Sequence, residues 1–80
     1  MREFGKLLTR ARENAAGLSF KEFEKLMQLA RWQFRRQKGS HRLWYSPGGY
    51  RLPVQATGRN AKSYQVRQFL AQYDREHGNG

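Results

Sequence analysis

The chain has 80 residues, sixteen Lys and Arg against six Asp and Glu, and a formal net charge of +10. That allows one domain at most, with a modest core, and sets up a field that attracts polyanions, nucleic acid above all. The absence of cysteine excludes disulfides, zinc–thiolate sites and thiol catalysis, and no apolar run reaches transmembrane length.

Phe4, Leu7, Leu8 and Ala11 follow the i, i+3, i+4, i+7 stripe of an amphipathic helix over about residues 2–14. The first sixteen residues resemble a transit peptide in being basic and amphipathic, but Glu3, Glu13 and the lack of serine argue against one. No signal-peptide core is present either, so we expect a cytoplasmic protein. Gly17 is expected to end this helix in a left-handed conformation. Ser19-Phe20-Lys21-Glu22 is a capping box that opens a second helix, with Leu18 stapled onto Phe23. Phe23, Leu26, Met27 and Ala30 form its apolar stripe.

After Arg31 the period changes to two. Trp32, Phe34 and Arg36 alternate with Gln33, Arg35 and Gln37, as in a strand. Lys38-Gly39-Ser40 reads as a tight turn, and residues 41–45 as a second strand. Ser46-Pro47-Gly48-Gly49 is a second turn. Tyr50, Leu52 and Val54 alternate along a third strand, and Pro53 makes it an edge or an early end because it cannot donate to a ladder. Residues 56–60 read as a loop whose Asn60 caps a last helix, with Val66, Phe69, Leu70 and Tyr73 on one face. Tyr64 is expected to pack, and residues 77–80, with His77, to fray as a tail. The expectation is an α+β fold in the order helix, helix, three-stranded antiparallel meander, helix, with the helices on one face of the sheet. It is divided as a single domain over 1–80: an accessory N-terminal helix within 1–17, a core over 18–76 and a tail over 77–80.

The acids lie near the ends, at Glu3, Glu13, Glu22, Glu24, Asp74 and Glu76, and none falls between Lys25 and Tyr73. That acid-free stretch holds Arg31, Arg35, Arg36, Lys38, Arg42, Arg51, Arg59, Lys62 and Arg67 besides Lys25. Arginine predominates, which suits bidentate contact with phosphate. Arg59, Lys62 and Arg67 straddle the start of the last helix, where free N–H groups and the helix dipole favour phosphate.

Catalytic residue types are scarce. Paired carboxylates, a Ser-His-Asp set and a metal cluster have little support, so neither a metal nor another cofactor is expected. What remains is His41 after the turn, among Arg35, Arg36, Lys38 and Arg42. Neighbouring cations favour a neutral, proton-accepting imidazole. RNA carries its own nucleophile, the 2′-hydroxyl, and a base that takes its proton allows attack on the adjacent phosphate while cations hold the developing charge. Ser40 either orients His41 or a phosphate, or completes the turn. Trp44 and Arg42 share a strand face opposite Leu43. If Leu43 faces the helices, Trp44 is exposed and free to stack on a base, and His41 lies on the Leu43 side.

Lys38-Gly39-Ser40-His41 at the first turn resembles the K-G-S-H signature of HicA-type mRNA interferase toxins. The likeness extends over nearly the whole chain: the Ser19-to-Leu29 helix, Trp32 and Phe34, Arg35-Arg36-Gln37, Leu43-Trp44, Ser46-Pro47, Leu52-Pro53-Val54, and Tyr64-Gln65-Val66-Arg67-Gln68-Phe69-Leu70 as a Y-Q-V-x-Q-x-L helix start. Residues 6–14 resemble the leader helix of one branch. The resemblance implies a double-stranded-RNA-binding-like α-β-β-β-α fold with an added N-terminal helix. It also implies a metal-independent endoribonuclease that cleaves mRNA and a HicB-type antitoxin as partner. The free chain would be a monomer and the neutralised toxin a hetero-oligomer. The family's catalytic histidine maps onto His41 and its turn glycine onto Gly39. Arg42 stands where members often carry a second histidine, so the general acid is unassigned. The competing readings are a non-catalytic RNA-binding module of the same fold, and a subunit whose basic face serves only to bind an acidic partner. The first is weakened because only Arg59 and Lys62 stand where a double-stranded-RNA-binding domain carries its cationic helix start.

Overall fold

In the computed structural model, which describes residues 2–78, the chain folds as α1 (Arg2–Glu13), a single 3-10 turn (Ala15–Gly17), α2 (Phe20–Leu29), β1 (Gln33–Lys38), β2 (His41–Tyr45), β3 (Arg51–Val54), β4 (Ala56–Thr57), β5 (Asn60–Ala61) and α3 (Ser63–Glu76). This is the expected α+β arrangement, α-β-β-β-α preceded by one more helix. Asn79 and Gly80, the end of the expected tail, lie outside the described residues.

The capping box forms as the sequence predicts. The Glu22 N–H donates to Ser19 Oγ at 3.0 Å, and the Ser19 N–H donates to the Glu22 carboxylate at 3.0 Å. Leu18 and Phe23, the staple pair, are both fully buried. The other end of α2 closes with Arg31 in the left-handed region at φ 71°. There the Arg31 N–H reaches Gln28 O at 3.1 Å and the Trp32 N–H reaches Met27 O at 3.0 Å, the two bonds of a Schellman cap. Gly17, by contrast, keeps a negative φ, because the chain after α1 tightens into the 3-10 turn and not into a left-handed cap.

The meander has the strand order β1-β2-β3, so β3, with its Pro53, is an edge. Its faces are set by register. Phe34 pairs with Trp44, but the next pair is Arg36 with Leu43, so one extra residue, Arg35, is bulged out of β1. The strict alternation expected from the sequence therefore breaks: Arg36 leaves the face of Phe34 and joins that of Leu43. Gln37 pairs with Arg42, and Lys38 with His41. Across the other ladder Leu43 pairs with Pro53, and Tyr45 with Arg51.

The core lies between the helices and the Trp44 side of the sheet. Phe23 meets Phe69 edge-on at 5.9 Å, and Trp32 sits 5.0 Å from Phe69. Trp44, Leu52 and Val54 supply the sheet side. This parity is the reverse of the condition under which Trp44 would be free, and its indole is 5% exposed. α1 joins through buried Leu7 and Ala11 and through Arg12, which grips Asp74 of α3 with bonds of 2.6 and 3.0 Å.

Four further expectations change. The segment after β3 is an antiparallel β4–β5 ribbon, not a loop. Asn60 is therefore a ribbon residue paired with Thr57, and Lys62 takes the N-cap position of α3. The ribbon is tied to α2, because the Phe20 N–H donates to Arg59 O at 2.8 Å and the Ala61 N–H to Leu18 O at 3.1 Å. Tyr64 is 52% exposed and not packed. His77 caps α3 with its ring 4.1 Å from that of Tyr73.

Candidate functional site

The β1–β2 turn places His41 at the first position of β2, after Gly39 at φ +62°. That conformation costs an L-residue about 1–2 kcal/mol, so glycine is what this turn requires. Gln37 Nε2 donates to Gly39 O at 3.0 Å, and Gln55 Nε2 donates to Ser40 Oγ at 3.0 Å. Gln55 is itself held, its N–H donating to Oε1 of the buried Gln65 at 3.0 Å. Ser40 is thus tied to the start of α3 and still has a hydroxyl proton to donate.

His41 lies on the face of the sheet turned away from the helices, with Leu43 and Tyr45. A cleft of about 380 Å³ opens beside it, lined by Lys38, Gly39, His41, Leu43, Arg51 and Pro53. Arg36 joins this face through the bulge, and the Arg35 guanidinium lies 5.2 Å from the centre of the Tyr45 ring. Among the described residues the face carries cations, an imidazole and no carboxylate.

The acids are engaged elsewhere. Glu22 takes both nitrogens of Arg10 at 2.7 and 3.2 Å, and that guanidinium, with the Ser19 N–H, holds its carboxyl below the usual range despite partial burial. The Arg12 guanidinium lowers Asp74 in the same way. For Glu76, burial acts to raise the carboxyl, but bonds from Ser46, Gln72 and the Gly48 N–H outweigh it and the net direction is down. Glu24 accepts from Arg42 Nε, and from Trp44 Nε1 at 3.0 Å. Four of the six acids are therefore spent on the helices and turns, which leaves the open sheet face with uncompensated positive charge.

The predicted site residues accordingly divide. Lys38, Gly39, Ser40 and His41 come together at one end of the open face, with Arg35 and Arg36 on the adjoining strand. Arg42 and Trp44 do not join them. They turn to Glu24 of α2, and Arg42 also lies 4.2 Å from the centre of the Phe34 ring and bonds Gln37 at 3.0 Å, both on β1. Arg59 sits in the β4–β5 turn, Lys62 caps α3, and Arg67 is exposed on that helix. Sequence reasoning missed Arg51 as a site residue. Its signal was present, since inward Leu52 and Val54 force Arg51 and Pro53 outward beside His41. Glu24 was missed too, and nothing in a helical stripe distinguishes it from any exposed acid. Among the described residues no group of three or more His, Asp and Glu could hold a metal ion.

A protein-family comparison matches residues 20–74 to the model described as "HicA toxin of bacterial toxin-antitoxin". The chain belongs to the HicA toxin family. Membership makes it the toxin type of a toxin–antitoxin system. The match runs from the start of α2 into the last turns of α3 and contains His41 and the whole meander. α1 falls outside it, so this HicA chain carries a helix added to the family core and fastened by Arg10–Glu22 and Arg12–Asp74. No curated protein and no solved structure matches the chain. No helix among the described residues is long and apolar enough to cross a membrane.

Proposed function

We propose that this HicA chain is an endoribonuclease that cleaves mRNA and blocks translation, with His41 as the general base. The observation that carries the reading is the position of His41: exposed at a strand end, on a cationic face without a carboxylate among the described residues, beside a cleft flanked by Lys38 and Arg51. His41 takes the proton of a ribose 2′-hydroxyl. That oxygen bonds to the adjacent phosphorus, and the bond from phosphorus to the 5′-oxygen breaks. The products are a 2′,3′-cyclic phosphate and a 5′-hydroxyl, whose proton comes from solvent. Lys38, Arg35 and Arg36 supply positive charge for the phosphorane, and Ser40 has a free hydroxyl proton for a phosphate oxygen. Arg59, Lys62 and Arg67 are available for more distant phosphates. None of these residue roles needs a metal. A HicB-type antitoxin neutralises the toxin by covering the same basic face, and the free chain is a monomer.

The test is to incubate the chain and its His41→Ala form with a labelled mRNA in excess EDTA. Cleavage by the parent alone, leaving cyclic phosphate ends, is expected. Equal cleavage by both forms, or 5′-phosphate ends, would refute the role of His41. RNA binding by both without cleavage would leave a binding module.

A further inference from the structure

We infer that the open sheet face grips one nucleotide of single-stranded RNA beside His41, with Arg51 on the phosphate and the Tyr45 ring under the base. The inference rests on the proposed reading of the chain as an RNA-cleaving toxin and names how that site holds its substrate.

Three observations lead to it. First, register brings β3 to the site. Tyr45 pairs with Arg51 and Leu43 with Pro53, so Arg51 and Pro53 stand on the same face as His41, and all but Tyr45 line one cleft. Second, Arg51 is exposed and, among the described residues, makes no ion pair, whereas the helix-side arginines Arg10, Arg12 and Arg42 each hold a carboxylate. A guanidinium left unpaired at the rim of an acid-free cleft is available for bidentate phosphate binding. Third, Tyr45 is half-buried, so its ring is held in place, and Arg35 already lies 5.2 Å from its centre. A held aromatic face that already takes a planar guanidinium over it is a stacking platform for a base, which takes that position as the Arg35 guanidinium moves aside.

These features select single-stranded RNA over duplex. A paired base has its faces covered by its neighbours and cannot lie on Tyr45, whereas an unstacked base can. The strand would run along β2, which carries the imidazole at one end and the aromatic ring at the other.

Binding is measured in the His41→Ala background, so that the RNA stays intact whatever the chain's chemistry. The probe is a fluorescent ten-nucleotide single-stranded RNA, titrated at several salt concentrations, with a duplex of the same length for comparison. Arg51→Ala should lower the log–log salt slope by about 0.7, the release expected for one phosphate contact on a single strand. Arg51→Lys should restore the slope. Tyr45→Ala should weaken binding about tenfold with the slope unchanged, and Tyr45→Phe should bind as the parent does. Arg10→Ala, which removes a cation already paired with Glu22, should leave the slope alone, and melting curves identify any variant that has lost its fold. An unchanged slope in Arg51→Ala, an unchanged affinity in Tyr45→Ala, equal preference for duplex, or no RNA binding overturns the inference. If the slope and affinity move as stated but the parent chain never cuts RNA, the inference stands and the catalytic reading falls.

Discussion

Glu24 ties the strand that carries His41 to helix α2, and removing its carboxylate should cost a large share of the protein's stability. One carboxylate serves two donors, the Nε atoms of Arg42 and Trp44. The side chains of Arg42 and Glu24 are 31% and 20% exposed, so the pair is partly shielded from water. A hydrogen bond to a charged group contributes about 1.5–3 kcal/mol when buried, and exposure of this degree reduces that to about 1–2 kcal/mol. The indole N–H, left without an acceptor inside the core, adds about 1 kcal/mol. Glu24→Ala should therefore cost about 2–3 kcal/mol out of a total of about 4–12 kcal/mol for a domain of this size. That corresponds to a fall of about 10–20 °C in Tm. Thermal denaturation followed by far-ultraviolet circular dichroism measures it, and a cycle with Arg42→Ala apportions it. The cycle should return a coupling of about 1 kcal/mol, and Glu24→Gln, which keeps an acceptor, should lose less than half as much as Glu24→Ala. A Tm for Glu24→Ala within about 2 °C of the parent would refute the reasoning, because so small a shift means well under 1 kcal/mol.

Two further outcomes follow from the same structure. Arg31→Gly should raise stability by about 0.5–1 kcal/mol, because a left-handed cap at φ 71° strains any residue with a Cβ; urea denaturation checks the sign, and a loss would show that the arginine side chain compensates for its backbone. Acid should destabilise the fold through Glu22, Asp74 and Glu76, whose carboxyls all lie below their ordinary values. Their contribution is complete above the unfolded carboxylate range of about pH 4–4.5 and is lost as pH falls through the lower folded values. Melting temperature should stay level from neutral pH to about 5 and then drop, and Glu76→Gln should make the drop shallower. An equally steep drop in that variant would remove Glu76 from the account.

The helices and strands were legible because their signals are local. The Ser19–Glu22 box, the apolar stripes and the two Gly turns each depend on residues a few positions apart, and each formed where expected. What was not legible depended on long-range pairing. The side of the sheet that receives the helices cannot be read from β2 alone, since Leu43 and Trp44 are both large, apolar and buried. Asn60 has the chemistry of a cap but is drawn into the β4–β5 ribbon by pairing with Thr57 and a bridge to Ser19. At the site, the turn and His41 stood out in the sequence. Arg42 and Trp44 did not keep their expected place, because a carboxylate eighteen residues from Arg42 claims both donors.

The bulge at Arg35 has a genetic consequence. Upstream of it Phe34 shares the face of Trp44, and downstream Arg36 and Lys38 share that of His41. An in-frame loss of that single codon would restore strict alternation through the strand. Phe34 would still share the face of Trp44, and Arg36 and Lys38 would still share that of His41, so the open face would keep both cations although Arg35 is lost. Strand pleating has a period of two, so the charge of this surface is set by counting residues as much as by choosing them. Drawing Arg35 into the pleat would instead turn Arg36 and Lys38 toward the helices and Gln37 toward the open face, so this surface keeps its charge only while the extra residue stays out of register.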